Sequence, residues 1–237
     1  MTQEEMKEMM KSQEIKEVTM AFFDGFFKQR KKEQVKNYKL RNQYIKKGQI
    51  LFVGSSLMEN FPINEFQQTL EEEYIIYNRG IGGFIIPELL ASMEECIFEL
   101  EPSKIFINIG TNDISLPDYK KETLIANYEN ILTQIKERLP ACKVYVMAYY
   151  PVNAKADFPG VEPAQKADSF KSRNNPNILE ANAAIEQLAK KHNYEFINVN
   201  EGLMDEEGNL KVEYAIEGVH MWPTGYAIVL QNIKKYL

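Results

Sequence analysis

The chain has 237 residues, a hydrophobic fraction of 44%, a charged fraction of 26% and a formal net charge of −6. These values are ordinary for a globular protein, and the length suits one large α/β domain. The negative charge argues against nucleic-acid binding, and no apolar run has the length of a transmembrane segment. The amino terminus carries no basic region followed by an apolar one, so we expect no signal peptide and a cytoplasmic location.

Cysteine and histidine usage argues against a metal centre. Cys96 and Cys142 stand among apolar neighbours, which predicts buried free thiols. The chain has two histidines and no Cys-x-x-Cys pair, so a Cys/His zinc site is not expected, and no acidic loop of the EF-hand type is present. We therefore expect no metal site, although carboxylate sites are harder to exclude than Cys/His sites.

Residues 1–48 predict an N-terminal helical extension, which precedes a domain over residues 49–237. Apolar residues recur near helical spacing in its first part, and lysines and arginines dominate its second part. We expect the apolar stripe to pack on the main domain or on a second subunit, as in a homodimer. A basic amphipathic helix can also contact a membrane surface or an acidic partner, although such a run is more often a solvated helix face. The stripe consists of Met6, Met9, Met10, Ile15, Val18, Phe22 and Phe23.

Five apolar runs rich in β-forming residues predict strands, and stretches with apolar residues three or four apart predict helices between them. Strands that alternate with helices predict an α/β fold with a parallel sheet covered on both faces. The polar stretch 152–177 is long for a plain connection, so we expect a functional loop or lid there. The predicted strands are 50–53, 73–77, 104–110, 143–148 and 195–199, and the predicted helices follow Pro87 or span 124–139, 178–189 and 223–236.

Two glycine-containing segments follow the first two predicted strands. Gly54-Ser-Ser comes directly after the first strand, where open α/β folds bind their ligands, although these residues are also common in turns. Residues 80–83 contain three glycines, but Ile85 stands where a dinucleotide-binding Gly-x-Gly-x-x-Gly motif needs glycine, and no Walker lysine is present. The second segment instead predicts a close backbone approach or a positive φ angle.

The two histidines have different surroundings. His192 lies at the predicted end of a helix, where a cation suits the helix dipole, so we expect a structural role. His220 lies in a loop before the last helix, three residues after Glu217. A carboxylate at this spacing can hold an imidazole in one tautomer and stabilise the imidazolium formed in catalysis. A histidine that only supports the loop is the alternative, and these residues alone leave both interpretations open.

Four blocks now occur in a specific order: Gly54-Ser-Ser-Leu57, Asn78-Arg-Gly-Ile-Gly-Gly83, Gly110-Thr-Asn-Asp113 and Glu217-Gly-Val-His220. Together they resemble the SGNH (GDSL-type) hydrolase family, and the chain is similar to bacterial members of the platelet-activating-factor acetylhydrolase type. The resemblance runs from about residue 49 to the carboxyl terminus. It implies a three-layer α/β/α, flavodoxin-like fold with a five-stranded parallel sheet, and ester hydrolysis through a serine nucleophile.

The resemblance also implies a role for individual residues. Ser56 matches the nucleophile and His220 the general base. Gly83 and Asn112 match the glycine and asparagine of the oxyanion hole, to which the backbone N–H of Ser56 also contributes. A serine hydroxyl is a poor nucleophile until a base removes its proton, and the tetrahedral oxyanion needs fixed donors, so the residue types suit the chemistry.

The chain departs from the family pattern at two positions. Ser55 occupies the place of the aspartate in Gly-Asp-Ser, which makes it a second candidate nucleophile and a candidate substrate contact. Glu217 stands where the family usually has aspartate, but glutamate can still reach a histidine nitrogen, and Ser-His-Glu triads occur elsewhere. Arg173, within the polar stretch 152–177, is another candidate substrate contact.

We therefore expect a cytoplasmic serine esterase that hydrolyses a small-molecule acyl ester and needs no cofactor. The acyl group is expected to be short or medium, as in an acetyl ester, a lysophospholipid or an acylated sugar. Two alternatives remain on the same fold: a catalytically impaired ligand-binding protein and an acyltransferase. Turnover of a simple aryl acetate distinguishes an active enzyme from a binding protein.

Overall fold

The computed structural model describes residue 2 and residues 13–237. Met6, Met9 and Met10 of the predicted apolar stripe lie outside the described residues. The described part of the N-terminal extension forms one long helix, α1, Gln13–Arg41, followed by the 3-10 turn Asn42–Tyr44. In residues 13–237 no helix has both the length and the apolar character that a membrane span requires.

The sheet contains five parallel strands within residues 13–237, in the order β2-β1-β3-β4-β5. This is the strand order of flavodoxin-like folds, in which ligands bind at the point where the order reverses. The predicted α/β class and the five-stranded parallel sheet are therefore confirmed. The strands are β1, Ile50–Gly54; β2, Ile76–Gly80; β3, Lys104–Asn108; β4, Lys143–Met147; and β5, Glu195–Ile197.

The second strand begins three residues later than the sequence predicts. The apolar run at 73–77 suggested the earlier position, but the parallel register pairs Ile50 with Ile76 and Gly54 with Gly80. Arg79 is polar and still belongs to β2, where its buried guanidinium donates to the Asn42 side chain. The pairing with β1 gives the position of β2, and the apolar pattern does not reveal that register.

Two predicted segments are divided differently in the structure. The helix expected after Pro87 is broken, because Ser92 between its two parts has a non-helical backbone. The stretch 152–177 is not simply an exposed loop, since it contains a short helix and buries Phe158 and Phe170. The helices after α1 are α2, Ser56–Glu59; α3, Ile63–Phe66; α4, Ile86–Leu90; α5, Met93–Cys96; α6, Thr111–Ile114; α7, Lys121–Arg138; α8, Pro163–Ser169; α9, Asn175–Lys191; and α10, Pro223–Ile233.

Each strand sends alternate side chains to opposite faces of the sheet, so hydrophobic cores form on both faces. On β1, Leu51 and Val53 pack in the core with α4, α7 and α9, whereas Ile50 and Phe52 pack in the core with α2 and α10. The carboxyl ends of β1, β2 and β3 lie side by side. The predicted motif blocks that follow these strands therefore meet at one edge of the sheet.

The outer half of helix α1, residues 17–27, is exposed, and its inner half, residues 28–41, packs on the domain. Val18, Met20, Phe22, Phe23, Phe26 and Phe27 are 50–68% exposed. Tyr38 is buried, and its hydroxyl donates to the Gly80 carbonyl at 2.6 Å. The prediction that the stripe packs on the main domain is therefore wrong for the exposed residues of the outer half, while packing on a second subunit stays a prediction.

Candidate active site

Ser56 is the first residue of α2, directly after the end of β1. Its Oγ lies 2.8 Å from Nε2 of His220. The turn between β1 and α2 depends on Gly54, because a Cβ atom at this position would stand 2.0 Å from the carbonyl oxygen of Asn108 on β3. The Ser56 N–H donates to no acceptor among the described residues, so it is available to a ligand.

Glu217 and His220 share a small loop that ends just before α10. The loop is closed by an antiparallel bridge between Ala215 and Met221. Oε1 of Glu217 accepts from the His220 backbone N–H at 2.9 Å and contacts Nδ1 at 2.5 Å. An ionised carboxylate can only accept, so Nδ1 carries the proton and the lone pair of Nε2 faces Ser56. This is the tautomer that a general base requires.

The electrostatics of Glu217 favour its ionised form. Partial burial alone raises the pKa of this carboxyl, but the hydrogen bonds of His220, and its positive charge in the protonated form, outweigh that effect and hold the pKa below its usual value. The distance from Oε1 to Nδ1 also shows that the extra methylene of glutamate, relative to aspartate, does not prevent this contact. The two side chains form a connected pair through a local, three-residue spacing.

Ser55, the second candidate nucleophile, is oriented differently. Its side chain is 1% exposed, and its Oγ has no hydrogen-bond partner among the described residues. The backbone of Ser55 caps α2, since its carbonyl accepts from the N–H groups of Met58 and Glu59. The structure thus brings Ser56, and not Ser55, to His220.

Gly83 lies in the turn that follows β2. Its φ angle is +72°, a left-handed conformation that favours glycine, and its N–H donates to no acceptor within residues 13–237. Lys31 of α1 covers this turn: a Cβ on Gly83 would stand 3.2 Å from its Cε. Lys31 also pairs with Glu88 at 2.8 Å, and Glu88 accepts from the Ile85 N–H at 3.1 Å. The inner half of α1 therefore supports the turn.

Asn112 lies on α6, at the carboxyl end of β3. Its Nδ2 donates to the Phe84 carbonyl at 2.9 Å, and its Oδ1 accepts from Arg173. The next residue, Asp113, accepts from the Ile86 N–H with both carboxylate oxygens at 3.1 Å, and burial raises its pKa to about 6. Nδ2 carries two hydrogens, and within residues 13–237 only the Phe84 carbonyl accepts from it, so one amide hydrogen of Asn112 has no acceptor in this part of the chain.

Arg173, the candidate substrate contact, lines a cavity of about 300 Å³ together with Phe170, Glu217 and His220. Its guanidinium is also bonded to the protein. Nε donates to the Thr111 carbonyl at 3.1 Å and to Oγ of Ser115 at 2.7 Å, and Nη2 donates to Asn112. Two of the five N–H groups of the guanidinium are therefore used within the protein, namely the Nε–H, which two acceptors share, and one N–H of Nη2.

Sequence reasoning assigned no role to several supporting residues. Asn78 belongs to a motif block, and its side chain joins β2 to α2 by donating to the Met58 carbonyl at 2.5 Å. Lys31 and Glu88 gave no signal, because they are separated by 57 residues and neither lies in a motif block. Among the described residues, no group of three or more His, Cys, Asp or Glu side chains is arranged to hold a metal ion.

Comparison with known proteins identifies the family. The sequence profile of the GDSL-like Lipase/Acylhydrolase family matches residues 52–228. The chain belongs to this family. The match spans Ser56, Gly83, Asn112 and His220, and it confirms the resemblance that the motif blocks indicated. The chain is accordingly a hydrolase of the type that acts on ester bonds.

Three individual proteins illustrate the similarity. N-acylneuraminate cytidylyltransferase from Escherichia coli O18:K1:H7 is 26% identical over 201 residues, which cover 81% of this chain and 41% of that protein. The chain thus spans about two fifths of this curated relative. A platelet activating factor protein from Streptococcus pneumonia has a similar structure, with a TM-score of 0.81, 26% identity and coverage of 92% and 98% of the two chains. A GDSL-like lipase from Bacteroides thetaiotaomicron shares the fold, with a TM-score of 0.69, 24% identity and coverage of 85% and 96%.

Proposed function

We propose that the chain is a serine esterase in which Ser56, His220 and Glu217 form the catalytic triad. The supporting observation is the continuous contact from Ser56 Oγ to His220 Nε2, at 2.8 Å, and from Nδ1 to Glu217, at 2.5 Å. These distances allow a proton to leave the serine hydroxyl for Nε2 while the carboxylate stabilises the imidazolium. The replacement of aspartate by Glu217 keeps the contact that the reaction needs.

The proposed reaction has two parts. The Ser56 proton passes to Nε2 of His220 as Oγ bonds to the carbonyl carbon of the ester and the carbonyl oxygen becomes an oxyanion. The N–H groups of Ser56 and Gly83 and the free amide hydrogen of Asn112 stabilise that oxyanion. The bond to the alcohol oxygen then breaks, and His220 returns the proton to the leaving alcohol. A water molecule attacks the acyl-enzyme by the same proton route, and Ser56 regains its hydrogen as the acid leaves.

The cavity beside His220 suits the alcohol part of the ester. His220 must protonate the leaving oxygen, so the group attached to that oxygen lies on the side of its ring. The cavity has a volume of about 300 Å³, and its lining combines apolar walls with polar and cationic groups. The polar side chains of such a lining can bond to the hydroxyl groups of an alcohol, and the apolar walls can contact its carbon atoms. The lining includes Val161, Phe170 and Val219 on the apolar side and Gln165, Lys166, Ser169 and Arg173 on the polar side.

Among the expected substrates we favour an acylated sugar with a short acyl group. The polar side chains within the cavity lining support this choice, and the curated relative is named for a reaction of N-acylneuraminate, an acidic sugar. The structural relative from Streptococcus pneumonia carries the name of a phospholipid mediator, so a lysophospholipid is the substrate class to test beside it.

Hydrolysis of 4-nitrophenyl acetate by the purified chain tests the proposed function, followed by a panel of acetylated sugars and lysophospholipids. We expect turnover of the aryl acetate and a higher kcat/KM for the sugars. An organophosphonate probe should modify Ser56, as read by mass spectrometry of the labelled peptide. A label on Ser55 would contradict the assignment. Binding without turnover would indicate the impaired ligand-binding protein, and acyl transfer to added alcohols in preference to water would indicate an acyltransferase.

We also propose that the outer half of α1 contacts a second copy of the chain. Six apolar side chains between Val18 and Phe27 are at least half exposed, and neighbouring rings pair edge to face at 5.8 and 6.0 Å. They extend around more than one side of the helix, since residues 22, 23, 26 and 27 differ by up to about 140° at 100° per residue. A helix that is apolar over so wide an arc suits burial between two protein surfaces.

A further inference from the structure

The orientation of the Asn112 amide matters for the proposed reaction. An oxyanion can be stabilised only by the nitrogen end of the amide, because the oxygen end would repel it. Side-chain amides can rotate to exchange their two ends, so something must hold the nitrogen towards the Gly83 turn. Two contacts do this: the Phe84 carbonyl, which can only accept, lies 2.9 Å from Nδ2, and the Arg173 guanidinium, which can only donate, contacts Oδ1.

The three acceptors of Arg173 lie close together on and beside α6. Nε donates to the Thr111 carbonyl and to the Ser115 hydroxyl, and Nη2 donates to Oδ1 of Asn112. The planar guanidinium has its donors in a fixed geometry, so contacts to Thr111 and Ser115 determine where Nη2 points. Arg173 therefore acts as a rigid brace for the Asn112 side chain.

The charge of Arg173 has a second effect on the amide. Burial lowers the pKa of this guanidinium, and the charges of Glu217 and Asp113 oppose that effect, so that the pKa is about 10. The guanidinium is therefore cationic near neutral pH. A cation bonded to Oδ1 polarises the amide and makes its N–H groups stronger donors, since linked hydrogen bonds strengthen each other. The same contact thus orients and strengthens the donor.

We propose that Arg173 is a positioning residue that acts through Asn112, and that it is not primarily a substrate contact as its place in the polar stretch suggested. Its bonds to Thr111 and Ser115 fix the guanidinium, and the guanidinium fixes the amide of Asn112 with nitrogen towards the oxyanion. This role rests on the proposed function. It adds a residue to the active site that lies outside the four motif blocks.

A double-mutant cycle between Arg173 and Asn112 tests the proposal, with 4-nitrophenyl acetate as substrate. Arg173→Met should lower kcat by about 10- to 100-fold, less than loss of an oxyanion donor itself, with KM within about twofold. In an Asn112→Ala background the same change should lower kcat by less than about twofold, because the residue through which Arg173 acts is absent. Arg173→Lys, which keeps the charge, should restore part of the activity.

Lys171→Met is the matched control, because Lys171 lies two residues before Arg173, is exposed and is not part of the cavity lining. We expect its kcat to stay within about twofold of the native value. Melting temperatures of all variants separate a folding defect from a catalytic one. If Arg173→Met does not fold, Ser115→Ala, which removes one anchor of the guanidinium, enters the same cycle with Asn112→Ala.

Each outcome has one meaning. A large loss in native Asn112 that nearly vanishes in Asn112→Ala supports the positioning role. Equal losses in both backgrounds overturn it, as does a rise in KM with unchanged kcat, which would make Arg173 a substrate contact. If the native enzyme is active and the losses of kcat caused by the Arg173 and Asn112 substitutions are additive, only this inference is overturned. If the native chain hydrolyses no ester, the proposed function is overturned and this inference with it.

Discussion

Ser56, His220 and Glu217 contact one another directly, whereas Gly83 and Asn112 are held by residues that take no part in the proposed reaction. The base and its carboxylate are three residues apart and share one small loop. The proposed oxyanion hole instead depends on contacts from α1, from the turn after β2 and from the segment before α9. Local chain geometry therefore builds only the pair of His220 and Glu217. The topology of the sheet brings Ser56 to this pair across 164 residues, and long-range packing builds the oxyanion hole. The following predictions test that division.

The largest effect is expected at the nucleophile. Ser56→Ala should lower kcat by a factor on the order of 10⁶, since no other hydroxyl is bonded to His220 in the part of the chain that the structure describes. Ser55→Ala should keep most of the activity, because the Ser55 hydroxyl is buried and has no hydrogen bond to His220. Steady-state kinetics on an aryl acetate measures both. Full activity in Ser56→Ala would refute the triad.

The oxyanion hole should give the next largest effect. Asn112→Ala should lower kcat by about 100- to 1,000-fold with little change in KM, because the contact forms mainly with the developing oxyanion. The matched control is Asn175→Ala, at an asparagine that bonds to Val152 and Gly208 and contacts none of the proposed catalytic residues. A pure rise in KM for Asn112→Ala would show that this residue only binds substrate.

Substitution of Glu217 should have a smaller effect on kcat, although Glu217 belongs to the locally built pair with His220. Glu217→Gln removes the charge, but an amide oxygen can still accept from the backbone N–H and from Nδ1–H of His220. We therefore expect a fall in kcat on the order of 100-fold, less than the roughly 10⁴-fold known for a triad aspartate changed to its amide. Glu217→Asp should retain substantial activity. Near-native kcat in Glu217→Gln would mean that Ser56 and His220 work as a dyad.

The same division explains what the sequence predicts. Gly54-Ser-Ser, the spacing of Glu217 and His220, and the strand pattern are local features, so they indicated the sheet and its catalytic edge. The register of β2 and the supports of Asn112 and Gly83 depend on residues far away in sequence, such as Ile76 with Ile50 and Lys31 with Glu88. Neither apolar periodicity nor motif spacing contains information about such pairs.

Lys31 is the test of whether α1 contributes to the oxyanion hole. Lys31→Met should lower kcat by about two- to fivefold, because a half-buried ion pair contributes up to about 1 kcal/mol and the Gly83 turn keeps its other contacts. Lys39→Met is the control, since Lys39 pairs with Glu95, a residue outside the turn, at 3.8 Å. Equal kcat values for the two variants would show that α1 supports the fold and not the chemistry.

The smallest effect on catalysis is expected from the outer half of α1, because its exposed side chains contact neither half of the site. We expect Phe22→Ser with Phe26→Ser to leave kcat on an aryl acetate unchanged. If the outer half of α1 joins two copies of the chain, the same variant should have a lower sedimentation mass than the native protein, because it loses the two rings whose exposed fractions are 68% and 57%. Lys28→Met, next to these rings, serves as the control for a charge effect.

A native chain that sediments as a monomer and binds anionic vesicles only while both rings are present would make α1 a membrane-contact helix instead. A loss of kcat on the soluble aryl acetate in Phe22→Ser with Phe26→Ser would contradict the division of the site into triad and oxyanion hole. It would mean that catalysis at the sheet edge depends on the outer half of α1, which contacts neither of them.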